Sequence, residues 1–309
     1  MMDGFMLILP IMCCIMTGWF LKKVGVLNDE GGAQMGRVVF FVAAPCMIFR
    51  FTLSLKPADF ADGNFILVLY GGYMMMALSS RIIEHFRSGT AARKAASVLM
   101  AIRSNNMFMG MPAVLMLWGE SWMGWYGRYM AISIVGFEIF SAVSGLITLN
   151  GGLGWKSLRR VLGSLVRNPI VISIAAALVC GMGLNLTVPR FLDLSLKIFG
   201  DLGTGLALMT LGMKLKPEEL LADFCAVWPD LIVRLLLSPL ILAAGFRFFP
   251  CAPEMEKLSI LVMAMPVAMN TFPMASAMGM DGDYAAKTIM VSTMLSVLTL
   301  PLVIEFLIR

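Results

Sequence analysis

The chain has 309 residues, of which 59% are apolar and only 14% charged, with a formal net charge of +5 and one histidine. Soluble domains carry about 25% charged residues, so this composition excludes a soluble enzyme or a nucleic-acid-binding module as the class. One histidine leaves little room for histidine-based catalysis or metal chemistry.

Three runs, 4–21, 168–189 and 258–280, contain no charge at all. Each approaches or exceeds the roughly 20 apolar residues that a bilayer-spanning helix needs. Backbone groups in lipid must be paired internally, which leaves helices or a closed barrel. The runs are continuous and do not alternate apolar with polar, so an all-α membrane protein is expected. In chain order the spans fall at about 4–21, 36–54, 64–82, 96–118, 127–149, 168–187, 193–213, 226–248, 257–279 and 285–306. The opening MMDGFMLILP has no basic residue before its apolar run, so the first span reads as retained. Fourteen Lys and Arg residues lie in the odd-numbered connections, against eight in the even-numbered connections and termini. That bias puts the odd connections in the cytoplasm and both termini outside a plasma membrane. The six cysteines show no metal or disulfide spacing and read as buried free thiols. His85 reads as a solvated helix end, and the basic connector 150–167 as a linker near anionic headgroups.

The two halves share landmarks. Lys56-Pro57 in LSLKPADF and Lys216-Pro217 in MKLKPEEL are 160 apart. At the same offset Pro45 faces Gly205 and Arg37 faces Lys197, while Pro10-Ile11 and Pro169-Ile170 differ by 159. NNMFMGMP in the fourth span and MNTFPMA in the ninth both place Asn and Phe two apart, at Asn106/Phe108 and Asn270/Phe272. Two halves of five spans each, 1–155 and 156–309, are therefore expected. An odd number of spans forces the second copy to enter the membrane inverted. Inverted repeats with matched, interrupted helices are a common transporter plan, with substrate bound near the midplane at the interruptions.

These segments resemble the auxin efflux carrier family, which includes bacterial carriers of small organic acids. The resemblance runs nearly end to end: LPIMCCIMTGWFLKKVGVLNDEGGAQMGRVVFFVAAPCMIFRF, NNMFMGMPAVLML, RNPIVISIAAALVCGMG, FGDLGTGLALMTLGMKL and AMPVAMNTFPMASAMG carry it. It implies ten helices in two inverted five-helix repeats, with helices four and nine broken and crossing. It also implies a scaffold group, a transport group and elevator-like carriage of a mono- or dicarboxylate. Two departures stand out. Gly205 occupies a position where many relatives have proline. Glu138 occupies one where an amide or apolar residue is expected.

Proline removes a backbone donor and crowds the preceding turn, so Pro112, Pro266 and Pro273 are the expected breakers. The freed half-helix N-termini suit a carboxylate, with Asn105, Asn106, Asn270 and Thr271 as adjacent donors. Arg103 is a candidate attraction for substrate or the counter-ion of Glu138. A carboxylate at that depth is a functional candidate by default. Glu138 would carry a coupled proton, pair with a cation, or serve as Arg103's partner. Asp201 would cap a helix N-terminus or line the site, and with Glu138 it is a candidate for ion coupling. Asp230 and Arg234, four apart, have the spacing of a structural ion pair.

No enzymatic activity and no cofactor or metal are expected; the coupling ion, where one is used, would be a proton or sodium. The partners expected are a small organic anion and the lipid bilayer, with a homodimer as an option and no nucleic acid. Rival readings on the same architecture are a sodium-coupled bile-acid-type symporter and a sodium/proton antiporter. The antiporter would place paired acids at the crossing, where the sequence has none. An intramembrane enzyme and a non-transporting sensor are further rivals from other classes.

Overall fold

The computed structural model describes residues 2–152, 154–184, 186–215 and 220–308. In order, the helices are α1 Met2–Lys23, α2 Asp29–Leu53, α3 Gly63–Phe86, α4 Ala91–Ile102, α5 Asn106–Trp118, α6 Glu120–Asn150 and α7 Trp155–Val166. They continue as α8 Pro169–Gly183, α9 Arg190–Met213, α10 Asp223–Phe248, α11 Pro253–Met263, α12 Thr271–Ala277 and α13 Gly282–Ile308. Six of them, α2, α3, α6, α9, α10 and α13, are long and apolar enough to cross a bilayer. Large apolar side chains such as Phe41, Leu67, Met74, Phe191, Ile198 and Phe306 are exposed on the outside, as a lipid-facing surface requires.

Helix starts follow from local side chains. Asp62, Thr90, Asn168 and Asp281 each accept a hydrogen bond from a backbone N–H in the first turn of α3, α4, α8 and α13. Such caps satisfy donors that the helix itself leaves unpaired. Gly279 ends the short α12 with a φ of 77°, a left-handed conformation that favours glycine.

Proline shapes the long helices without ending them. Ala44, Met111 and Ser238 each immediately precede a proline, and each donates its N–H to the carbonyl five residues back. A proline ring crowds the carbonyl four residues back, and a widened π turn relieves that contact. The turn at Ile232–Leu237 has a second effect. It rotates Arg234 away from Asp230, and the ion pair expected from their four-residue spacing does not form. Asp230 instead meets Arg87 and Tyr284. Gly205 lies within an uninterrupted α9. Of the repeat landmarks, Pro57 opens a short 3₁₀ turn, whereas Lys216 and Pro217 lie outside the described residues.

The helices sort into two groups by their contacts. α1 packs on α9, and α2 packs on both α8 and α9. α3, α4, α6, α10, α11, α12 and α13 pack among themselves. The groups meet where α2 and α8 touch α6, where α5 touches α1 and α9, and where α1 touches α13. The first group is held by backbone proximity. A Cβ on Gly212 would lie 1.8 Å from the Ile15 carbonyl oxygen, and one on Gly18 would lie 2.0 Å from that of Met209. Small residues permit this approach, which packs membrane helices through van der Waals contact.

The second group contains a buried charge cluster that the sequence reading missed. Glu84, 2% exposed, accepts from Arg87 and from Arg93 at 2.7 Å. Arg87 also reaches Asp230 at 3.4 Å and the Ala226 carbonyl at 2.8 Å. His85, on the neighbouring turn, is exposed as expected. All six cysteines are free thiols, but none is buried as the sequence suggested: Cys14, Cys46, Cys180 and Cys251 are partly buried, and Cys13 and Cys225 are exposed.

Candidate functional site: two broken helices that pair

The expected spans at 96–118 and 257–279 are both interrupted. The first leaves the helix at Arg103–Asn105, between α4 and α5. The second does so over 264–270, between α11 and α12. The two interruptions touch. Ser104 and Val267 form an antiparallel bridge. The Asn105 N–H donates to the Pro266 carbonyl and the Ala268 N–H to the Arg103 carbonyl, both at 2.8 Å. Each break thus satisfies backbone groups that the other frees, as an apolar surrounding demands.

Of the expected breakers, only Pro266 lies inside an interruption. Pro112 lies downstream of the first break, just past the π turn Asn106–Gly110, in a helix that continues. Pro273 is the third residue of α12, where its missing N–H costs no helical bond.

The expected polar residues converge on the crossing. Asn105 Oδ1 accepts from the Phe108 N–H at 3.2 Å and so starts α5. Asn106 Oδ1 accepts from the Ser104 hydroxyl. The side-chain nitrogens Nδ2 of both asparagines are buried and, among the described residues, have no hydrogen-bond partner. Both residues line a cavity of about 30 Å³ with Ser104, Phe137, Glu138, Ala268 and Asn270, room for about one water molecule.

Arg103 is 1% exposed and stands beside that cavity. Its Nη1 donates to Glu138 Oε2 at 2.8 Å and to Ser141 Oγ at 3.2 Å. Its Nη2 donates to Glu138 Oε1 and to Asn270 Oδ1, both at 3.2 Å. Its Nε donates to Thr271 Oγ1 at 3.2 Å, and its guanidinium sits 4.8 Å from the Phe137 ring centroid. The sequence left two roles open for Arg103, and the counter-ion role is the one seen here. A second cleft, of about 350 Å³, opens beside it. Arg103, Glu138 and Asn270 form its inner wall, and Phe40, Arg167 and Met278 are among its other lining residues.

Arg234 is the buried cation whose partners the four-residue spacing did not give. It is 1% exposed and donates to the Ala101 carbonyl at 2.8 Å and to the Met263 carbonyl. Those carbonyls belong to the last turns of α4 and α11, where helix dipoles favour a cation. Its signal in the sequence is a single arginine in an otherwise uncharged stretch between Asp230 and Arg247. Asp201 is elsewhere. It sits in the middle of α9, with a side chain 56% exposed and 3.4 Å from Lys197. A mid-helix position has no free N–H to cap, so the capping role is not seen. Among the described residues no group of three or more His, Cys, Asp or Glu is placed to hold a metal ion.

The model of the family described as "Membrane transport protein" matches residues 3–151 and 153–304. The chain belongs to this family. It is the family of the auxin efflux carriers, and the chain is accordingly a multi-pass membrane protein of a transporter family. Similar proteins include an uncharacterized transporter of Methanocaldococcus jannaschii, 23% identical over 96% of each chain. An uncharacterized transporter of Methanothermobacter thermautotrophicus is 25% identical over 96% of this chain and 95% of its own. A protein of Rhizobium meliloti named "Putative malonate transporter" is 24% identical over 95% of this chain and 92% of its own.

Proposed function

We propose that this protein is a secondary transporter of small organic anions, mono- or dicarboxylates, that works by elevator-type alternating access in a plasma membrane. The observation that carries the reading is the pair of buried, unpartnered amide nitrogens of Asn105 and Asn106. A buried donor without a partner is costly, and a carboxylate oxygen is an acceptor that would relieve it. Asn270 lines the same cavity. Two arginines and one glutamate line the wider cleft, a net positive charge suited to an anion. The printed name of the Rhizobium meliloti relative fits a dicarboxylate.

The pairing at the crossing supports ten spans in two inverted halves, 1–155 and 156–309. The contacts 103 with 268, 104 with 267 and 105 with 266 are what a two-fold axis gives when the halves are offset by 163 residues (268 − 105, 267 − 104 and 266 − 103). In this reading α1, α2, α8 and α9 are the static scaffold, and the helices around the crossing move. The cleft opens toward Arg167, on the side where basic connections concentrate, so the cleft faces the cytoplasm and both termini lie outside. A sodium/proton antiporter would use paired acids, and Glu138 is the one carboxylate lining either cavity.

The test is uptake of a panel of labelled carboxylates into proteoliposomes, with and without sodium or a pH gradient. Failure to move any of them under every gradient overturns the reading. Asn270→Ala is expected to abolish uptake while the purified protein stays monodisperse; unchanged uptake removes Asn270 from the site.

A further inference from the structure

We propose that Glu138 stands in for a substrate carboxylate on Arg103, and that loading exchanges one carboxylate for the other while Glu138 takes up a proton. The inference rests on the carboxylate-carrier reading and names the coupling of that same site. A guanidinium has five N–H donors. In Arg103 all five are engaged: two by Glu138, and one each by Ser141, Asn270 and Thr271. No donor is left for a substrate. Ser141 and Thr271 are fully buried. Glu138 is the charged partner and, at 13% side-chain exposure, lines both the small cavity and the open cleft. A substrate carboxylate that reaches Arg103 from the cleft meets the Glu138 pair first. It offers the same two-oxygen geometry that Glu138 now provides, so the exchange keeps the charge-assisted bonds of the guanidinium.

Charge balance then fixes the proton. The empty pair is Arg103⁺ with Glu138⁻, and sums to zero. A bound carboxylate with Glu138 still ionised would set two like charges against one guanidinium, and adjacent carboxylates do not both stay ionised. A proton from the cleft water bonds to a Glu138 oxygen as the Arg103–Glu138 hydrogen bonds break and the Arg103–substrate bonds form. The loaded site again sums to zero. Neither half-reaction is favoured alone. A protonated Glu138 without substrate leaves Arg103 buried and unpaired, which is strongly unfavourable. Other ionisable groups do not compete at close range. Arg167, from the α7–α8 connection, is the remaining titratable residue of the cleft lining. The α2 and α12 walls contribute Phe40, Phe41, Asn270, Met274, Ala277 and Met278, none of them ionisable. The result is obligatory symport of one proton with each carboxylate.

The test uses the full-length protein in weakly buffered proteoliposomes with a luminal pH dye. The probes are labelled malonate and labelled lactate, the latter a monocarboxylate. Inward uptake is expected to acidify the lumen by one proton per anion beyond a protein-free control. One-proton linkage also predicts a KM that rises about tenfold per pH unit over the range in which loading takes up the proton. Glu138→Gln is expected to end the acidification and to flatten the pH dependence of KM. Uptake by the wild-type protein without proton movement overturns the exchange and leaves the carrier reading standing. So does a Glu138→Gln protein that keeps the wild-type proton stoichiometry. Should Glu138→Gln not yield folded protein, the wild-type proton count and KM profile decide alone. Absence of any carboxylate uptake overturns the carrier reading itself.

Discussion

The α1/α9 contact and the crossing are both built by bringing two backbones together, and they do so by opposite means. At α1/α9, glycines let carbonyls approach to a distance where no Cβ fits, and the contact is mainly steric, with one side-chain bond from Lys22 to the Met213 carbonyl at its end. At the crossing, backbone bonds, asparagine amides and an arginine fork hold the chains around a small void. A steric contact has one arrangement. A hydrogen-bonded one can trade one partner for an equivalent partner at small net cost. The first suits a fixed frame and the second a binding site.

The comparison breaks most sharply at the frame. Gly212→Leu is expected to abolish folding, seen as loss of the monodisperse peak in size-exclusion chromatography, because the new side chain would overlap the Ile15 backbone. Well-behaved protein would show that the α1/α9 contact can give way. Around the crossing, Glu84→Gln removes the buried charge partner that Arg87 and Arg93 share, leaving Arg87 only its 3.4 Å contact with Asp230. It is expected to cost about 3–5 kcal/mol, read by thermal or denaturant unfolding, with KM unchanged. At the crossing the effect should move from stability to transport. Asn105→Ala is expected to raise KM roughly ten- to a hundredfold, the loss of one bond to a charged ligand. Its melting temperature should fall modestly, because the Oδ1 that accepts from the Phe108 N–H is lost together with the unpartnered Nδ2, a capping loss of about 0.5–2 kcal/mol. The smallest effect belongs back on the frame. Asp201→Asn breaks an exposed pair with Lys197 and is expected to cost between about 0 and 1 kcal/mol. Proton coupling should be unaltered; its loss would return Asp201 to the candidate coupling residues.

Much of the crossing was legible because lipid makes polar residues conspicuous. Asn270, Thr271 and Pro266 stand in a run that is uncharged and mostly apolar, and a cost of that kind needs a compensating role. The position of the first break was not legible from its proline. Pro112 is accommodated by a π turn, and the helix opens instead at Arg103–Asn105, where backbone partners from the second break are available. The partners of Asp230 and Arg234 were hidden for a related reason. Four-residue spacing predicts a shared face only in a regular α-helix, and Ile232–Leu237 is not one. Glu84 and Arg87 went unread although they are three apart, and their link to Asp230 and Tyr284 is a tertiary contact that no local pattern contains.

Arg234 has a mechanical consequence. Its side chain is rooted in α10 and its guanidinium holds the ends of α4 and α11 together. Three helices therefore share one joint, and the two broken segments have no freedom to slide past each other while α10 stays still. Under the proposed carrier reading, α4, α10 and α11 move as one unit, and relative displacement passes to the seam where α5, α6 and α13 meet α1, α2, α8 and α9.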